Sequence, residues 1–153
     1  MKEPQRILEL FEDLYNGDPW LDVTLIGTLQ HITADQAAQK KYAERNSIWE
    51  ITNHIISWRL NVLQRVKGII TDTPEDNYFL PVADTSSEAW EKTIDRLKES
   101  EDKWREFLEN LPPKNLDDGY LHDGHNNYEH IHGIIQHDAY HLGQIVLLCK
   151  HPE

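Results

Sequence analysis

Apolar residues recur at intervals of three and four along most of the chain, the spacing that puts them on one face of an α-helix. The pattern is clearest near the C-terminus, in His130-Ile131-His132-Gly133-Ile134-Ile135-Gln136-His137-Asp138-Ala139-Tyr140-His141-Leu142-Gly143-Gln144-Ile145-Val146-Leu147-Leu148, which no proline interrupts. Residues 5–15 repeat it with Ile7, Leu8, Phe11, Leu14 and Tyr15, and Gly17-Asp18-Pro19 stops that run. Ser47-Ile48-Trp49-Glu50 is a capping box that opens a second long helix, expected to run to Gly68 with Ile51, Ile55, Trp58 and Val62 facing inward. Thr85-Ser86-Ser87-Glu88 reads as a second box and opens a third helix. Its inner face is Trp90, Ile94, Leu97, Trp104 and Leu108, and it ends at Pro112-Pro113. Asn126-Asn127-Tyr128-Glu129 caps the last helix.

The connections are less regular. Residues 20–31 mix β-branched and apolar side chains and are strand-like by propensity, but no second strand exists to pair with them, so they are assigned to a helical piece. Residues 33–39 form another short helical turn, followed by a polar connection through Asn46. Residues 72–85 contain Pro74 and Pro81 and read as a crossover connection in preference to a lid, with Tyr78, Phe79 and Leu80 as apolar cover. Residues 115–125 are a polar loop. Four long helices with polar connections predict an all-α, four-helix bundle, one domain over residues 1–153, without internal repeats.

Composition narrows the partners. The chain has 15 Lys and Arg against 27 Asp and Glu, a net charge of −12. That balance argues against nucleic acid and against an anionic membrane surface, since both bind through neutralised phosphates. No apolar run of about 18 residues is present to span a bilayer. Met1-Lys2-Glu3-Pro4-Gln5-Arg6 lacks the apolar stretch of a signal peptide, and the single Cys149 fits a reducing compartment, so a cytoplasmic location is expected. Apolar residues make up only 39%, but five Trp, six Tyr and three Phe supply large buried areas, which suggests a core extended across a dimer interface.

The candidate chemistry lies in the histidines. On the last helix His137 and His141 are one turn apart, and Gln144, Ile134, Ile145 and Leu148 fall within about 80° of His137, so both imidazoles sit on the stripe to be buried. On the second helix His54 lies at the edge of the buried stripe and can point inward. Three neutral imidazoles without a thiolate suit zinc or another borderline divalent ion and leave at least one position for water. Glu50, Asp138 and Gln144 are candidates to support them, with Glu50 and Gln144 as catalytic candidates. His130 lies roughly 10 Å along the axis from His137 at about 1.5 Å per residue and lines a pocket at most. His31, His122, His125, His132 and His151 read as surface or loop residues, and Glu101 as a snorkelled or interface side chain despite its place on an inner face.

The segments Ser47-Ile48-Trp49-Glu50, Asn53-His54-Ile55-Ile56-Ser57-Trp58-Arg59 and His137-Asp138-Ala139-Tyr140-His141-Leu142-Gly143-Gln144 together resemble the DinB-like (YfiT-like) metal-binding bundles. The resemblance covers essentially the whole chain. It implies an up-down-down-up bundle, commonly a homodimer, with zinc or nickel held by residues matching His54, His137 and His141. Relatives of this kind include transferases that use low-molecular-weight thiols and metal-dependent hydrolases. The function expected is that of a metal-dependent enzyme acting on a small molecule. The alternatives are a non-catalytic metal or small-ligand binding module, and a stress-response protein in which the metal is structural.

Overall fold

The computed structural model describes residues 1–150, which form six α-helices and no strand; His151 lies outside them. Four helices are long: α1 (Glu3–Asn16), α4 (Ile48–Val66), α5 (Ser87–Asn110) and α6 (Asn127–Lys150). The short α2 (Leu25–Leu29) and α3 (Ala34–Ala38) lie between α1 and α4, and a 3₁₀ turn, Pro113–Asp117, follows α5.

Local sequence accounts for most of these boundaries. Ser47 Oγ accepts from the Glu50 N–H while Glu50 accepts from the Ser47 N–H, so the box that opens α4 is closed in both directions. Gly68, at φ 77°, ends α4, and the Ile69 N–H reaches back to the Gln64 carbonyl at 3.0 Å, a Schellman closure. Asn126 and Glu129 cap α6 reciprocally, at 2.9 Å each. Two expectations need correcting. Only Leu25–Leu29 of the ambiguous 20–31 segment is helical, because Thr24 caps a helix there and Pro19 and Asp22, at φ 60°, hold the preceding residues in a turn. The cap of α5 is Ser86, not Thr85: its hydroxyl accepts from Ala89, and no reciprocal glutamate follows.

In the bundle α4 packs on α5 and α6, and α1 packs on the same two helices. Across α4 and α5 the paired residues rise together, Trp49 with Thr93, Asn53 with Arg96 and Arg59 with Glu101, so these helices run in the same sense. Across α4 and α6 they run oppositely, His54 meeting His137 and His141 while Arg59 meets Asp138.

The core is split along its length. One apolar cluster gathers Ile55, Ile56, Leu97, Leu142 and Ile145 with α2 and α3. The other gathers Ile7, Phe11, Leu63, Trp104, Leu108 and Ile131, with Phe11 stacked on Trp104 at 4.9 Å. Each fully buried large side chain contributes roughly 1.5–3 kcal/mol. Between the clusters, at mid-height, lies a polar layer of Arg59, Glu101 and Asp138, all buried and ion-paired. Glu101 therefore neither snorkels nor faces an interface. Its carboxylate is 1% exposed against the Arg59 guanidinium, because an arginine on the inner stripe of α4 stands at the same level.

Candidate metal centre

The polar layer ends at three histidines. Helix α4 delivers His54 and α6 delivers His137 and His141, with one ring nitrogen from each lying within 4.8 Å of the others. His54 and His141 are buried and His137 is partly exposed. The trio sits in a groove of about 780 Å³ that opens along α6, bordered by Trp58, Phe79 and Tyr140.

The hydrogen bonds around the trio decide which nitrogens carry lone pairs. His54 Nδ1 donates to the Asn77 carbonyl at 2.6 Å, and a carbonyl can only accept, so His54 Nε2 is unprotonated. Gln144 Oε1 accepts from His141 Nδ1 at 2.8 Å, which leaves His141 Nε2 unprotonated as well. Gln144 is held in turn by its amide, which donates to the Tyr140 hydroxyl at 3.2 Å. His54 Nε2 and His137 Nε2 are 2.9 Å apart, so the proton between them belongs to His137. His137 Nδ1 is then a bare acceptor 3.6 Å from Asp138 Oδ1, and both atoms are buried without a hydrogen-bond partner. Two buried acceptors facing one another are costly, about 1–3 kcal/mol for each unsatisfied group.

A divalent cation fits this defect. His54, His137 and His141 would hold it through one ring nitrogen each, and with its proton on Nδ1 the His137 ring would face the Asp138 carboxylate as acceptor. The opposite oxygen of Asp138 lies 3.6 Å from Arg59 Nη1, so a buried chain Glu101–Arg59–Asp138 backs the His137 ring. Burial pushes the His54 pKa from 6.5 down to about 4, against the upward pull of the Asn77 carbonyl, with His141 and His137 adding to the depression. His141 is lowered mainly by burial too. Neutral imidazole is the ligating form, so both shifts favour a cation.

A family model for the DinB superfamily matches residues 20–145, which include all three histidines. The chain belongs to the DinB superfamily. No curated protein and no solved structure matches it. Membership agrees with the helical fold and with a three-histidine cluster able to hold a metal ion, as the resemblance implied.

The other singled-out residues fall in different places of this DinB bundle. Gln144 supports His141. Glu50 does not line the groove: its carboxylate closes the α4 cap and pairs with Lys40 at 3.0 Å. His130 lines the groove, as does His125, which is a loop residue but not a remote one. His31 and His122 are exposed, and His132 is half-buried against the Tyr128 ring, 4.3 Å away, instead of lying at the surface.

Asn77 and Arg59 went unassigned in the sequence, whereas Phe79 was expected as apolar cover and provides it. Phe79 stacks on His54 at 3.9 Å and 9°, and Trp58 Nε1 donates to Asn77 Oδ1 at 2.9 Å. The 67–86 connection is therefore a crossover that also covers the site. Asn77 and Tyr78 adopt φ of 52° and 64°, conformations that asparagine tolerates and tyrosine resists. Asn61 holds Tyr78 there, donating to its hydroxyl at 2.9 Å. An asparagine within a proline-bounded loop is a weak sign of such a turn. The stronger missed sign was Arg59, three residues before Val62 and four after Ile55 on an apolar stripe, facing an equally misplaced Glu101.

Proposed function

We propose that the protein is a metal-dependent enzyme acting on a small molecule, either a hydrolase or a low-molecular-weight-thiol S-transferase, with His54, His137 and His141 as ligands of zinc or nickel. One observation carries the reading: three imidazoles converge on one point at the wall of an open groove, with His54 held by the Asn77 carbonyl and His141 by Gln144. Three protein ligands leave a divalent ion a coordination position for water or substrate, whereas structural zinc is closed by four. A bound ion supplies Lewis acidity, which makes water or a thiol a better nucleophile and polarises a carbonyl.

The residues of the chain do the rest. Asn77 and Gln144 hold their histidines in the ligating tautomer, Asp138 would accept from His137 Nδ1–H once that ring ligates, and Phe79 with Trp58 keeps bulk water from one side of the trio. The same-sense pairing of α4 with α5 and the opposed pairing of α4 with α6 support an up-down-down-up bundle. A homodimer and a cytoplasmic location complete the reading. Among the described residues no helix is long and apolar enough to cross a membrane.

The test is metal content by elemental mass spectrometry, for untagged protein and a His137→Ala variant purified identically. About one zinc or nickel per chain, lost in the variant, is the expected result and leads to assays of ester, amide and thiol-transfer substrates with that ion bound. No metal in either protein, even after reconstitution and dialysis, overturns the proposal. Metal that exchanges no water and supports no turnover would instead mark a structural ion.

A further inference from the structure

The groove continues well beyond the three histidines. Along α6 its wall runs from His141 and His137 past Ile134 and Gly133 to His130, and His130 lies about 10 Å from His137 at 1.5 Å per residue. Val62 forms part of the opposite wall. Gly133 lies midway along this wall: a Cβ built there meets no atom within 4 Å, so the missing side chain leaves open space instead of accommodating a neighbour. A glycine inside a helix costs stability relative to alanine, and nothing in the packing of α6 requires one at this position.

The far end is polar but selective. Among the described residues Arg65 is the one arginine or lysine on the groove wall, and its guanidinium is held by its neighbours. It donates to Asn61 at 2.8 Å, Asp123 at 3.1 Å and Thr73 at 3.2 Å, and its faces lie on the rings of Trp58 and Tyr120. These bonds use three of its five N–H donors. Asp123 pairs with its charge, and the exposed carboxylate of Glu129 keeps Oε1 open while Oε2 accepts from the Asn126 N–H and faces His125 at 3.6 Å. His130 is 8% exposed; its Nε2 lies 3.3 Å from Asp123 Oδ1 without a hydrogen bond. Burial lowers the pKa of this ring, against the pull of Asp123.

We propose that this groove takes an elongated ligand, its metal-seeking head at His54, His137 and His141, its apolar middle crossing Gly133, and its distal end a hydrogen-bond donor or ammonium group beside Glu129 and His130. A carboxylate or phosphate tail is disfavoured, because Asp123 already pairs with Arg65 and the surplus charge on the described wall is negative. The inference rests on the metal-site reading above and names the substrate class for it.

The test uses cobalt-loaded protein at pH 8, whose visible spectrum reports occupancy of the open position. The probes are acetohydroxamate, hexanohydroxamate, 6-aminohexanohydroxamate and adipic monohydroxamate. Both the wild type and Gly133→Leu are titrated; the leucine fills open space and, as a better helix former, raises the melting temperature of the folded protein. The expected result is that the amino tail binds at least tenfold tighter than the carboxylate tail. Gly133→Leu should weaken the amino and plain six-carbon probes at least tenfold, while acetohydroxamate stays within twofold. Glu129→Gln should remove most of the preference for the amino tail. If Gly133→Leu changes all four probes by less than twofold, or the carboxylate tail binds as tightly as the amino tail, the groove assignment is overturned and the metal site stands. If acetohydroxamate leaves the cobalt spectrum unchanged, or cobalt does not bind, the metal-site reading itself fails and the groove assignment falls with it.

Discussion

Replacing Arg59 by methionine tests the polar layer that backs the metal site. Arg59, Glu101 and Asp138 are each about 1% exposed, and one guanidinium serves both carboxylates. Methionine keeps most of the volume but leaves two buried carboxylates without the cation between them. Removing one partner of a buried pair costs about 3–5 kcal/mol, which is a large part of the roughly 5–15 kcal/mol that holds a domain of this size. The penalty should depend on pH, and its sign follows from Glu101. Burial already holds the Glu101 carboxyl above the ordinary carboxylate range even with Arg59 pulling it down, and loss of Arg59 raises it further. Over the window between the ordinary value of about 4.3 and the raised one, the folded chain binds a proton that the unfolded chain has lost, so stability falls as pH rises. Urea unfolding of metal-free protein followed by tryptophan fluorescence should therefore show the variant destabilised by about 3–5 kcal/mol at pH 8, and by at least about 1 kcal/mol less at pH 5. Adding Glu101→Met should recover part of the loss, with Asp138 still unpaired. A cost below about 1 kcal/mol, or one equal at the two pH values, would refute the view that this layer is a charged network held together by Arg59.

The metal-free protein should lose stability as pH falls from about 6.5 to about 4. His54 is held neutral when folded and charges freely when unfolded, which is worth at most about 3 kcal/mol; a flat melting temperature across that window would contradict it. Gln144→Ala should keep one metal per chain but weaken its binding about 10–100-fold in competition with a chelator, since His141 loses the acceptor for its Nδ1 proton. Asn77→Gly should leave metal affinity within a few-fold, because glycine adopts the left-handed turn, whereas Asn77→Val should strain the backbone and weaken metal binding by displacing the carbonyl that orients His54. Equal affinities for these two variants would show that the turn does not position His54.

The periodicity of the chain was enough to place the four long helices, because each must bury one stripe and the stripe is written at intervals of three and four. The boxes at Ser47 and Asn126 were legible for a similar reason: capping is a local exchange of hydrogen bonds within four residues. The cap of α5 was misplaced by one residue, since Thr85 and Ser86 both have a hydroxyl and only the Ala89 contact separates them. His137 and His141 share a helix, so their shared face followed from the 100° turn. That His54 meets them, 83 residues earlier in the chain, is a contact between helices, and the structure brings the three nitrogens within 4.8 Å.

Tertiary structure decided most of what surrounds the trio, although Gln144 was already legible on the face of its helix. The Asn77 carbonyl has no sequence code, because any residue supplies a carbonyl and only the path of the connection aims it at His54. Glu50 was a plausible partner by spacing, yet its carboxylate closed the cap of its own helix and met Lys40 from outside it. Glu101 and Arg59 looked anomalous one helix at a time. Their burial became intelligible only when α4 and α5 aligned in the same sense and put opposite charges at one level, beside Asp138 and the histidine it supports. Stripes and caps are written in neighbouring residues; pairing across helices depends on register, which the whole bundle sets at once.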